Sequence, residues 1–123
     1  MSFRINQLGS YDSRSGIFIK DIFQGQAITR FYLTQTECDS IATVLQSAPF
    51  MALPDTLTRI TNDRVVPEFV FVSYQAREKL VSWYNISDDY FLAINKVLLR
   101  IRRIIEARPE YQALPSVYGK FTL

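Results

Sequence analysis

The chain has no histidine, one cysteine, one tryptophan, two methionines and only four glycines in 123 residues. Without histidine it lacks the side chain that most often serves as base or metal ligand near neutral pH. A single cysteine, Cys38, excludes an internal disulfide. The glycines stand at positions 9, 16, 25 and 119, too scattered for a GxGxxG or P-loop phosphate cradle. No apolar run approaches the 18 or more residues of a membrane-spanning helix. Residues 1–15, MSFRINQLGSYDSRS, carry no apolar core of the secretory-leader kind. The expected location is therefore the cytoplasm, with a processed exported form as the alternative. Charge of one sign is also scarce: 14 basic and 12 acidic residues leave a formal +2, too little to drive the whole chain onto nucleic acid or an anionic membrane.

Apolar residues make up 48% of the sequence and charged residues 21%, the proportions of a packed globular protein. A chain of this length suits one domain, burying roughly two thirds of its unfolded surface. The expectation is a single α+β domain over 1–123, with 1–15 as a possible flexible arm. The one sizeable charge asymmetry lies between positions 96 and 108, where Lys96, Arg100, Arg102, Arg103 and Arg108 face a single anion, Glu106.

Two stretches, 17–23 and 27–33, are rich in β-branched and aromatic residues and flank Gln24-Gly25-Gln26, which predicts a hairpin. Thr34 followed three residues later by Glu37 is a capping box. Its hydroxyl accepts from the Glu37 amide while the carboxylate reaches back to the Thr34 amide, so a helix is predicted to start there. Cys38, Ile41, Ala42, Leu45 and Ala48 recur at helical spacing, and Pro49 ends the run. Residues 50–66 have no clear period and read as a connection. A second hairpin is predicted from strands at 69–74 and 79–84 with a turn at 75–78. A second helix follows, with Ser87 as N-cap, Asp88 and Asp89 at the positive end of its dipole, and Ile86 stapling onto Phe91. Its stripe is Phe91, Ile94, Leu98, Ile101 and Ile105, widened by Val97 and Ile104, and Pro109 stops it. A short final strand is expected at 117–123.

The two halves of this pattern resemble each other. A hairpin, a helix and an exit of the form Ala52-Leu53-Pro54 are followed by a hairpin, a longer helix and Ala113-Leu114-Pro115. Each Leu-Pro exit is expected to tuck its leucine and a nearby aromatic against the sheet. The expected fold is α+β in ββαββα order: a four- to five-stranded, mostly antiparallel sheet with two helices packed on one face. A ferredoxin-like βαββαβ core with an extra N-terminal strand is the alternative.

No grouping of reactive residues survives inspection. Cys38 lies on the apolar stripe of the first helix with no histidine to activate it, which favours a structural role. Asp88 and Asp89 are neighbours and so point about 100° apart on a helix, a poor geometry for a shared proton or metal. The other carboxylates show no EF-hand spacing. The reading is therefore a non-enzyme with no cofactor and no metal. Lys96, Arg100 and Arg103, with Arg102 beside them, form a basic row on the second helix. It is a candidate anion site, although cations near a helix C-terminus are also favoured by the dipole, and nucleic acid is not the favoured partner.

What remains is a burial problem. The predicted strands carry large apolar residues on both faces, whereas two helices cover only one. The sequence therefore points to a non-catalytic protein-interaction or self-associating module. The expected partner is a second copy or another protein, met through an apolar and aromatic sheet face. Candidate contact residues are Phe18, Tyr32, Phe71, Tyr74, Trp83 and Tyr84. Anion or nucleic-acid binding through the basic face of the second helix is the alternative.

Overall fold

The computed structural model describes residues 1–5, 8–22, 25–47, 50–54, 68–83 and 88–115. Six antiparallel strands form one sheet: β1 Ser2–Ile5, β2 Gly9–Asp12, β3 Ile17–Ile22, β4 Gly25–Arg30, β5 Glu68–Tyr74 and β6 Arg77–Trp83. Two main helices, α1 Gln35–Ser47 and α2 Asp88–Glu106, pack against each other on one side of it. A 3₁₀ turn at Phe50–Ala52 follows α1, and a one-turn helix, α3 Pro109–Gln112, follows α2.

The α+β class is as expected, but the strand count and order are corrected. The sheet has six strands rather than four or five, and the chain runs ββββαββα through its main elements. This is neither ββαββα nor the ferredoxin-like alternative. The difference lies in Ser2–Ile5 and Gly9–Asp12, which pair as β1 and β2 at the centre of the sheet rather than belonging to an arm. The strand order is β4-β3-β2-β1-β5-β6. Phe3, Ile5 and Tyr11 point into the core, while Ser2, Arg4, Ser10 and Asp12 point away. That is the period-two alternation of a half-covered strand pair. Gly9 makes the tight pairing possible: its φ of +136° suits glycine, and a Cβ there would collide with the Ile19 carbonyl.

The register fixes which side the helices cover. Val72, Phe3, Tyr11, Phe18 and Thr29 lie in one row across five strands, and Val81, Val70, Ile5, Gly9, Lys20 and Ala27 in the next. Ile41, Val44 and Leu45 of α1 and Ile94, Val97, Ile101 and Ile105 of α2 pack onto this side, with Leu8, Phe31, Phe50, Leu53 and Trp83 also in the buried core. The capping box forms as its chemistry requires: Glu37 Oε1 accepts from the Thr34 amide at 2.8 Å and Thr34 Oγ1 accepts from the Glu37 amide at 3.1 Å. Tyr11 is pinned at the centre of the core. Its hydroxyl donates to the Phe31 carbonyl at 3.1 Å and accepts from the Leu33 amide at 3.2 Å. Its ring stacks on Phe31 at 5.2 Å between centroids.

The two exits match in detail. The Leu53 amide donates to the Phe50 carbonyl at 3.1 Å, and the Leu114 amide donates to the Tyr111 carbonyl at 3.0 Å, with the same offset from leucine back to aromatic. Both leucines lie against the core. Because every neighbouring pair of strands is antiparallel, a half-turn about the sheet normal between β1 and β2 carries the order and directions of β4-β3-β2 onto those of β6-β5-β1. Both predicted hairpins form, as β3 with β4 and β5 with β6, but β4 starts at Gly25 and ends at Arg30 rather than spanning 27–33, and β6 starts at Arg77 rather than at 79. The Ser87 cap and the final strand at 117–123 lie outside the described residues.

Candidate interaction surface on the open sheet face

Side chains that alternate away from the helices form a second face, and among the described residues no element packs over it. One row across this face runs Arg30, Ile17, Asp12, Ser2, Ser73, Glu78. The next runs Ile28, Ile19, Ser10, Arg4, Phe71, Leu80. The surface is therefore a polar strip on β1 and β2 between two apolar patches, one on β3–β4 and one on β5–β6. Ile28 is 63% exposed and Leu80 50% exposed, both on the edge strands of the sheet. Arg4 reaches Asp21 on the same face at 3.4 Å, so its charge is matched locally. A shallow depression of about 440 Å³ lies over the centre of this face, lined by Ser2, Arg4, Ser10, Asp12, Ile17, Ile19 and Phe71 among others.

The six aromatic candidates are dispersed by the register. Phe71 alone is on the open face. Phe18 is wholly buried beneath α3, edge-on to Tyr111 at 5.7 Å. Trp83 is buried on the covered side, where its Nε1 donates to Glu68 Oε2 at 2.8 Å. Tyr74 packs against the core on that same side. Tyr32 is exposed, but it follows β4, and its ring lies against Gly16. Tyr84 lies outside the described residues. Each predicted strand taken alone carries apolar groups on both faces and does not reveal which parity faces the helices. The residues missed were Ile17, Ile19, Ile28 and Leu80, together with the charged row ends Arg30 and Glu78. The signal that could have found them was the alternation in residues 2–12, which sets the parity of the whole sheet.

The basic row on α2 is partly consumed by its surroundings. Arg100 donates to Ser40 Oγ at 2.6 Å, and Arg102 lies 3.8 Å from Glu106. Arg108, the last cation of the 96–108 stretch, is engaged elsewhere. Its guanidinium contacts Glu37 at 3.0 Å and Glu110 at 3.5 Å and lies 4.9 Å from the Phe31 ring centre, tying the start of α1 to the end of α2. Lys96 and Arg103 remain exposed, with no acidic partner among the described residues. Among the described residues the one buried cation is Lys20, whose Nζ donates to the Pro115 carbonyl at 2.7 Å and lies 4.5 Å from the Tyr111 ring centre. It clamps the chain after α3 onto β3.

A larger open cavity, about 650 Å³, lies between the end of α1, the 3₁₀ turn and the β5–β6 turn, with Gln46, Gln75, Arg77 and Glu78 on its rim. Among the described residues no three His, Cys, Asp or Glu side chains gather at a metal-sized site. Among them also, no helix is long and apolar enough to cross a membrane. Cys38 is half-buried in the first turn of α1. Burial raises the Tyr11 phenol above its ordinary pKa of 10, partly offset by the Leu33 amide that donates to it. Burial likewise raises Tyr111, with the Glu106 carboxylate adding to the effect.

No family model matches the chain, and neither the curated proteins nor the solved structures hold a match to it.

Proposed function

We propose that the protein is a non-catalytic protein-interaction module whose contact surface is the open face of its six-stranded sheet. The observation that carries this reading is the pairing of Ile28 with Ile19 on one side of that face and of Phe71 with Leu80 on the other. Antiparallel sheets with one solvated face ordinarily place polar residues there. Apolar side chains held on both flanks, beside a polar strip that can align a partner, are the composition of a protein contact. A partner that desolvates Ile28 and Leu80 gains roughly 25 cal/mol for each Å² of apolar surface removed from water.

A photoreactive phenylalanine at position 71, in the full chain in its own cells, tests this. Adducts to protein are expected from position 71 and not from position 96 on the outer face of α2. A chain that gives no protein adduct from position 71 contradicts the reading. Anion or nucleic-acid binding through α2 draws support from the exposed Lys96 and Arg103. It is weakened because Arg100 and Arg102 already have partners within the chain. A titration with labelled oligonucleotide at low salt, where phosphate contacts are strongest, decides it.

A further inference from the structure

Resting on that reading, we infer that the open face takes a second copy of this chain, in a two-fold sheet-on-sheet pair whose axis runs parallel to the strands between β1 and β2. The argument comes from the order of side chains along the two rows. A half-turn about such an axis reverses each row left to right and lays it over itself. In the first row Arg30 then meets Glu78 of the second copy, and Glu78 meets its Arg30. Asp12 meets Ser2. In the second row Ile28 meets Leu80, Ile19 meets Phe71, and Ser10 meets Arg4. Every apolar residue of the second row finds an apolar residue, and the two charged row ends find opposite charges. Arg30 and Glu78 are both exposed, and neither has an ion-pair partner in its own chain among the described residues.

The competing half-turn, about an axis along the rows, fails the same comparison. Run along the second row it lays Arg4 on Arg4, and at no position along the rows does it give Arg30 and Glu78 each other as partners. Like charges facing each other cost free energy, and the row order therefore selects the first axis. It also makes the contact isologous and closed, so association stops at the dimer. Sheets packed face to face lie about 10 Å apart with their strands within about 30° of parallel, which long Arg and Glu side chains at the rim can bridge. Five inter-strand spacings of about 4.8 Å and a strand length of about 17 Å give roughly 400 Å² of flat face per copy. Side-chain relief brings the total for two copies to roughly 1,000 Å², at the lower edge of specific interfaces. A dimer held together at micromolar concentration is the expected consequence.

Sedimentation equilibrium at low salt, over about 1 to 300 µM of the full chain, tests this. The protein is expected to show a reversible monomer–dimer equilibrium. Arg30→Glu and Glu78→Arg each place two like-charged contacts in the pair, and each is expected to weaken it about tenfold or more. The double variant restores opposite charges across the axis and is expected to return to within about threefold of the parent, a rescue that a merely unfolded or merely charged surface does not give. A parent that stays monomeric throughout overturns the inference, as do single variants without effect or a double variant no better than the singles. If the parent is monomeric while position 71 still forms adducts, all with other proteins, the second copy is excluded and the contact face stands. If position 71 forms no adduct, the contact face itself fails.

Discussion

Tyr11→Phe removes one oxygen from the middle of the core and leaves the ring in place. The hydroxyl holds two hydrogen bonds, to the Phe31 carbonyl at 3.1 Å and from the Leu33 amide at 3.2 Å. Each is worth about 1 kcal/mol net, and the Leu33 amide, left without an acceptor in a partly buried position, adds desolvation cost, for a total loss of about 2–3 kcal/mol. On a stability of 5–15 kcal/mol typical of such domains that is a large fraction, and it corresponds to a melting temperature lower by roughly 10 °C. Urea unfolding followed through the fluorescence of Trp83, the only tryptophan and a buried one, reads the change directly. The denaturant slope should stay constant while the midpoint falls. Tyr32→Phe, at a 58% exposed side chain, is the control and should stay within about 0.5 kcal/mol of the parent. The raised pKa of Tyr11 adds a second readout. Its phenol stays protonated in the folded chain after the unfolded chain has begun to ionise, so this contribution is complete below pH 10 and is lost as pH rises through the folded value. The gap between parent and Tyr11→Phe should therefore narrow above pH 10, while the alkaline loss due to Tyr111 persists in both. A variant as stable as the parent, or a gap that does not change with pH, refutes the assignment.

Glu37→Ala removes both the capping-box acceptor for Thr34 and a partner of Arg108, and should cost about 1–2 kcal/mol with faster amide exchange in the first turn of α1. Glu37→Gln keeps the cap acceptor and should lose less than half as much. In the β5–β6 turn, Gln75 and Ala76 both hold positive φ, 51° and 60°, as the hairpin twist requires. Ala76→Gly relieves the left-handed penalty and, after the added freedom of the unfolded chain, should stabilise by about 0.5 kcal/mol in urea unfolding. Ala113→Gly, at a right-handed φ of −77°, should not stabilise.

The parts of the fold that were legible in the sequence are those whose signal is local. Thr34 and Glu37 specify their own two hydrogen bonds, and the stripes of Ile41 and Leu45 and of Ile94, Ile101 and Ile105 find the sheet by periodicity alone. The two outer hairpins were legible from composition. The central hairpin was not, because Ser2, Arg4, Ser10 and Asp12 make it read as a polar lead-in, although those residues are the uncovered half of a regular alternation. That one omission removed the two middle strands and left the parity of the others undetermined. Phe18 and Trp83 were therefore assigned to an exposed face although they belong to the core. It also hid the charged ends of the open rows, since Arg30 and Glu78 become opposite ends of one line only when β1 and β2 stand between them. Arg108 was counted only in the charge excess of 96–108, because its partners Glu37 and Phe31 are distant in sequence and no local pattern announces the contact.

The claim on which the account turns is that the sheet face away from the helices meets protein. Methyl-labelled NMR spectra recorded over a dilution series, from several hundred to a few micromolar, test it residue by residue. The account predicts concentration-dependent shifts at the Ile19, Ile28 and Leu80 methyls, with Leu92 and Leu99 on the exposed side of α2 unmoved. Shifts confined to Leu92 and Leu99, or spectra independent of concentration in a chain that also forms no adduct at position 71, would contradict it.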